Sequence, residues 1–178
     1  EIELMMRINV DAPKEIIDES ATSGVQVVLN ISSVEALNPR PGHELYGASK
    51  AALDVLTRSA SRAHAPIRVL GLRLGLIGRD GIDQAWPEGV AAWKAATPLA
   101  RYASAGEVVG VTEFLLSDAN AWATGSTYDF DGGLGAEAIG SEALVGAGVT
   151  EWQDVAASLR YVLAHPQFGD DDILFLSQ

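Results

Sequence analysis

Two stretches, "VQVVLNIS" (25–32) and "IRVLGLRLGLI" (67–77), limit the folds open to this chain more than any other feature. Both are rich in apolar and β-branched residues and alternate little, which is the pattern of strands covered on both faces, as in a parallel sheet. The segment between them, "YGASKAALDVLTRSASRAH" (46–64), places Ala52, Leu53, Val55 and Leu56 at helical spacing. A buried strand, a helix and a second buried strand make a crossover unit, and such units are right-handed. Upstream, "INVDAPKEIIDESATSG" (8–24) carries Ile8, Val10, Ala12, Ile16 and Ile17 and reads as a helix closed by Gly24. Downstream, a helix is expected from about Ala105, and "STYDFDGG" (126–133) reads as a short strand ending in a glycine turn. The order predicts an α/β fold around a parallel sheet.

Two further segments qualify this plan. "GRDGIDQAWPEGVAAWKAATPLARYA" (78–103) has Gly and Pro flanking apolar residues that include Trp86 and Trp93, and reads as a long ordered loop, with a lid over 78–98. The tail "EWQDVAASLRYVLAHPQFGDDDILFLSQ" (151–178) reads as a helix, a loop and an apolar strand. Its "DVAASLRYVLAHP" parallels "EVVGVTEFLLSDA" nearly position for position, a repeat too short to argue duplication.

At 178 residues the chain has the length of one domain with a real core. Hydrophobic residues at 48% and charged residues at 20% describe a soluble globular protein. No apolar run approaches the roughly 18–20 residues that a membrane span needs. With 24 acidic against 12 basic residues the net charge is −12, which repels phosphate backbones and anionic membranes, so neither nucleic acid nor membrane is expected as a partner. The absence of cysteine excludes disulfides, thiolate metal sites and cysteine nucleophiles, and suits a cytoplasmic protein. The opening "EIELMMRINV" has no basic leader, apolar signal core or initiator methionine. It places Leu4, Met5 and Ile8 at helical spacing with no cap in front, as though the chain began inside an amphipathic helix.

Parallel α/β sheets bind ligands beyond the carboxyl ends of their strands. Ser32 and Ser33 stand at such an end, and Tyr46 and Lys50 stack one turn apart at the head of the next helix. A lysine ammonium beside a phenol favours the phenolate, the form a tyrosine needs in order to exchange protons. A nearby serine hydroxyl can hydrogen-bond the oxygen on which charge develops. Taken singly, each residue has a plainer reading: serines capping a strand end, a Tyr–Lys pair on a solvated helix face, and Asn9 as a polar helix residue. His43, three residues before Tyr46, has no carboxylate at a suggestive place to orient it and reads as a loop histidine. Trp86 and Trp93 read as lid packing, and Asp170, Asp171 and Asp172 as a solvated turn, so no metal site is expected.

Together these motifs resemble the short-chain dehydrogenase/reductase family. "NISS" precedes "YGASKAAL", "IRV" heads the next strand, and "TGSTYDFDGG" stands where that family ends its sheet, so the resemblance covers roughly residues 4–135. It implies a Rossmann-like doubly wound parallel sheet, incomplete at the N-terminal side. It also implies that Tyr46 is the catalytic acid/base, with Lys50 favouring its phenolate and holding the cofactor ribose. Ser33, rather than Ser32, matches the substrate-orienting serine, and Asn9, in "INVDAP", matches an asparagine supporting a water in the proton relay. The cofactor would be NAD or NADP, held by Tyr46, Lys50 and the backbone of Gly75 and Ile77. The implied reaction is reversible hydride transfer on a small-molecule carbonyl or secondary alcohol, in a homodimer or homotetramer.

The chain also departs from the pattern. No glycine-rich turn follows an early strand, and the residue that chooses between NAD and NADP belongs to the same region. Leu70 and Leu74 stand where the family has asparagine and proline, and Arg79 replaces a threonine and reads either as solvated or as facing a cofactor phosphate or an acidic substrate. A bare sheet edge is therefore expected. Three accounts stand side by side: part of a longer protein, a second chain supplying the nucleotide-binding half, or a shortened relative without cofactor binding. The alternative function is a non-catalytic subunit pairing with a complete partner as a hetero-oligomer. The expected organisation is a catalytic half over 1–135 and a C-terminal extension over 136–178, helix plus strand, packed on the same domain.

Overall fold

The chain divides after Ala136 into two compact units. The computed structural model describes residues 2–136, so the C-terminal extension, its expected helix and strand and the Asp170–Asp172 turn lie outside the described residues.

The chain opens with helix α1 (Ile2–Met6), which runs through a π-helical turn (Arg7–Asp11) into α2 (Ala12–Ser20). Strand β1 (Val27–Ser33) leads through a 3-10 turn (Val34–Ala36) to the long helix α3 (Glu44–Ala63) and to β2 (Arg68–Leu74). Helices α4 (Ile82–Ala85), α5 (Pro87–Ala96) and α6 (Ala105–Leu116) precede the short strand β3 (Thr127–Phe130). The described strands form one parallel sheet in the order β1-β2-β3, with Ser32 opposite Arg73 and Arg73 opposite Asp129.

The two-sided coverage expected from the apolar runs is present. Val69 packs with Ile17, Ala60 and Ile67 against α2 and α3, while Leu70 and Leu72 pack with Leu115 against α6. Neighbouring residues of β2 thus enter opposite cores, which is why its sequence does not alternate. Full burial of such side chains is worth about 1.5–3 kcal/mol each.

The face under α3 changes character along the strands. Near their N-terminal ends it is apolar, with Val28 and Val69. Toward their C-terminal ends it is polar: Asn30 donates to Thr57 Oγ1 at 2.9 Å, and Arg73 pairs with Asp54 at 2.8 Å. Buried polar groups need partners, and the small and polar positions of α3 supply them here.

The helical pattern expected at the opening is present from Ile2, and its Leu4 and Ile8 are exposed. Two expectations are revised. The lid is helical over most of its length, because Pro87 presets the first turn of α5 and Val90 is buried beneath it. The second revision concerns His43 and belongs to the site. Strand β1 pairs only with β2 among the described residues, and Ile31 on it is exposed. No helix of the described residues is long and apolar enough to cross a membrane.

Candidate active site

Gly47 fixes where α3 begins. A Cβ on it would lie 2.5 Å from the Glu35 carbonyl oxygen and 2.7 Å from Pro39 Cβ, so the first turn of α3 rests directly on the loop leaving β1. Tyr46 and Lys50 are thereby held at the C-terminal end of β1. Lys50 Nζ donates to the Ile31 carbonyl at 2.9 Å and lies 5.8 Å from the Tyr46 ring centroid. Partial burial pushes the Lys50 ammonium below its ordinary range, and the Asp54 carboxylate one turn along opposes that shift.

Asn9 reaches the same turn from behind. Its Nδ2 donates to Ser49 Oγ at 3.1 Å, and Ser49 Oγ donates to the Tyr46 carbonyl at 2.7 Å. Asn9 sits in the π-helical turn, and such single-turn insertions concentrate at functional sites.

Ser33 ends β1, two residues past the carbonyl that holds Lys50. Its Oγ accepts the Glu35 N–H at 3.2 Å and caps the 3-10 turn, so the plain capping reading is realised. The hydroxyl hydrogen remains free of that bond. Ser32 is buried, with its Oγ 3.5 Å from the Lys50 carbonyl, facing α3 rather than the strand end.

Gly75 and Ile77 follow β2. The Gly75 N–H is already donated to the Phe130 carbonyl at 3.0 Å, and the Trp93 ring would lie 2.6 Å from a Cβ at Gly75. Trp93 therefore packs on the glycine itself. Ile77 forms a parallel bridge with Ala103, and Arg79 is exposed. Between the lid and the turn after β3 lies a cavity of about 500 Å³ lined by residues including Leu76, Trp93, Leu99, Phe130 and Asp131. Ser33, Tyr46 and Lys50 are not among its lining residues. Among the described residues no group of three metal-ligating side chains comes together.

The reading of His43 as an unoriented loop histidine is corrected. Its Nδ1 lies 3.0 Å from Oε2 of Glu35, a residue only 8% exposed, and its ring meets the Tyr46 ring edge-on at 6.3 Å. Arg40 donates to Glu35 Oε1 at 2.9 Å and stacks over Trp86 at 5.2 Å. Through Arg40 this buried carboxylate ties the loop before α3 to the lid, while its Oε2 beside His43 has no hydrogen-bond partner. No periodicity links Glu35, Arg40 and His43, so only the fold of the loop brings them together.

A family model described as "Enoyl-(Acyl carrier protein) reductase" matches residues 1–135. The chain is 37% identical to the L-xylulose reductase of Caenorhabditis elegans over 111 residues, 60% of this chain and 44% of that protein. A solved 4-hydroxyisoleucine dehydrogenase complexed with NADH has a TM-score of 0.66 at 27% identity, covering 74% of this chain and 58% of its own. A blue fluorescent protein from a metagenomic library, in complex with NADPH, has a TM-score of 0.65 at 30% identity over 74% of this chain and 55% of its own. The chain belongs to the short-chain dehydrogenase/reductase family, a family of oxidoreductases with a Rossmann-like α/β fold. It spans about half the length of the curated relatives it matches.

Proposed function

We propose that this chain carries the proton chemistry of a reversible hydride transfer between NAD or NADP and a small carbonyl compound or secondary alcohol. The observation that carries the reading is Lys50, held by the Ile31 carbonyl at 2.9 Å and 5.8 Å from the Tyr46 ring, at the C-terminal end of a parallel strand.

The residues fit the nicotinamide-ribose half of such a cofactor. A lysine ammonium has three N–H donors, and the Ile31 carbonyl takes one, which leaves two for ribose hydroxyls. The Gly75 carbonyl and the Ile77 backbone lie past the end of β2, where a nicotinamide amide would be met. When bound, the nicotinamide supplies or accepts the hydride. In the reducing direction, Tyr46 gives its phenolic proton to the carbonyl oxygen and Lys50 stabilises the phenolate left behind. In the oxidising direction that phenolate recovers the proton from the alcohol. Ser33 uses an oxygen lone pair for the Glu35 N–H, so its own hydrogen is left to orient the substrate oxygen. Asn9 holds Ser49, and through it the turn that carries Tyr46, in register.

The test is turnover of L-xylulose and a panel of small ketones with NADH and with NADPH, by wild type and Tyr46→Phe. Loss of one positioned acid/base predicts a fall of about 10²–10⁴-fold in kcat. Undiminished turnover by Tyr46→Phe overturns the reading.

A further inference from the structure

Asp54 and Arg73 take no part in the chemistry above, yet both side chains are nearly nine-tenths buried or more beneath α3. Arg73 Nε donates to Asp54 Oδ2 at 2.8 Å, and its Nη1 pairs with Asp129 on β3. Asp54 Oδ1 is buried without a hydrogen-bond partner. Asp54 also lies one turn beyond Lys50 on the same face of α3. A buried ion pair is a weak source of stability in itself, because the desolvation of both ions offsets their attraction. An ion pair that leaves one buried carboxylate oxygen unmatched is weaker still, so stability alone does not account for Asp54.

We propose that Asp54, held in place by Arg73, is the counter-charge that positions the Lys50 ammonium, which makes Asp54 and Arg73 positioning residues for the Tyr46–Lys50 chemistry on which this inference rests. The direct hydrogen-bond partner of Lys50 is the neutral Ile31 carbonyl of β1. The charged and titratable groups about it are Tyr46 and Asp54 on its own helix; Arg73 from β2 pairs with Asp54, and Asp129 from β3 pairs with Arg73. Asp54 is the carboxylate whose field reaches Lys50, opposing the effect of burial. Arg73 sets how much of that field remains.

The signs follow directly. Removing the Asp54 charge leaves the ammonium half-buried and uncompensated, so it loses its proton at lower pH. Removing the Arg73 charge leaves Asp54 facing Lys50 alone, so the proton is held to higher pH. A loosened fold moves both variants in one direction, whereas a counter-charge moves them in opposite directions.

The test uses the full 178-residue chain labelled with isotopic lysine, which holds only Lys14, Lys50 and Lys94, so that each side chain titrates as a separate NMR signal. Asp54→Asn is expected to lower the Lys50 midpoint and Arg73→Gln to raise it, two shifts of opposite sign. Lys14 and Lys94, paired with Asp18 and Asp83, serve as unmoved references. A Lys50 midpoint that stays put in both variants overturns the proposal. Where either variant does not fold, Asp54→Glu takes its place: it keeps the charge, must leave the Lys50 midpoint as in wild type, and overturns the proposal if it does not. An unmoved Lys50 midpoint together with inactive Tyr46→Phe removes the positioning pair and leaves the proposed chemistry standing. Opposed shifts with fully active Tyr46→Phe do the reverse.

Discussion

Gly47 shows how much of this site depends on one absent side chain. With 2.5 Å between a hypothetical Cβ and the Glu35 carbonyl, Gly47→Ala forces α3 and the loop at 35–39 apart. Overpacking of this kind costs about 1–3 kcal/mol. A fall of that size in unfolding free energy is expected from urea denaturation, together with reduced turnover, since Tyr46 is the next residue. An unchanged midpoint would mean that the loop yields instead. Tyr46 and Lys50 were legible in the sequence because a spacing of four becomes contact on any helix, whatever surrounds it. Glu35 and His43 were not, because the 3-10 turn and the irregular loop that join them have no period to read. Asp54 and Arg73 were illegible for a different reason: 19 residues and a change of element separate them, and only the sheet register sets Arg73 under α3.

Helix α6 is secured at both ends by chemistry that single residues announce. At its N-terminus Ser104 and Glu107 form a reciprocal capping box. The Arg101 guanidinium, and then the Ser104 N–H and hydroxyl, hold the Glu107 carboxyl well below its ordinary 4.5, at about 2. A carboxyl whose pKa is depressed by folding contributes stability that is complete above its unfolded value and lost as pH falls through its folded value. The contribution of Glu107 is therefore lost between pH 4.5 and about 2. Amide exchange at the start of α6 is expected to accelerate across that window in wild type, and to show no such dependence in Glu107→Gln. At the C-terminus, Arg68 donates to the carbonyls of Leu115, Leu116, Ser117 and Asn120, at 3.1 to 3.3 Å, which explains an arginine at the head of a buried strand. Arg68→Met leaves the last carbonyls of α6 without this charged donor and is expected to cost about 1.5–3 kcal/mol in urea denaturation. A midpoint equal to wild type would show that water replaces the guanidinium at no loss. The lid departs from what its sequence suggests. Its Gly and Pro punctuation suggested loop, whereas Pro87 stands in a first turn where it costs nothing, and the buried Val90 marks the covered side of a short helix.

At the scale of the molecule, the parallel sheet was legible because β2 is buried on both faces, and a strand in that position has no polar side to reveal. What the sequence could not say is which helix faces the sheet leaves uncovered. Periodicity marks an apolar stripe without naming what lies on it, and the stripe of the first helix is the example: Ile17 is fully buried, whereas Leu4, Ile8 and Ile16 are more than half exposed. Leu45 and Val55 on α3 are exposed to the same degree. Exposed apolar side chains that form a contiguous patch, rather than scattered ones, mark interaction surfaces. The homodimer or homotetramer implied by the family resemblance, placed on the first helix, predicts self-association of the chain. Sedimentation across a range of concentrations should give a mass above 18.7 kDa that rises with concentration. Leu4→Glu, Ile8→Glu and Ile16→Glu together place three carboxylates in that surface and should weaken association by at least about tenfold, about 1.4 kcal/mol. The substitutions fall at exposed positions, so the unfolding midpoint of the dissociated chain is expected to hold. If the variant associates as strongly as wild type, the contact lies elsewhere on the molecule, and β1 with its exposed Ile31 is the next surface to alter.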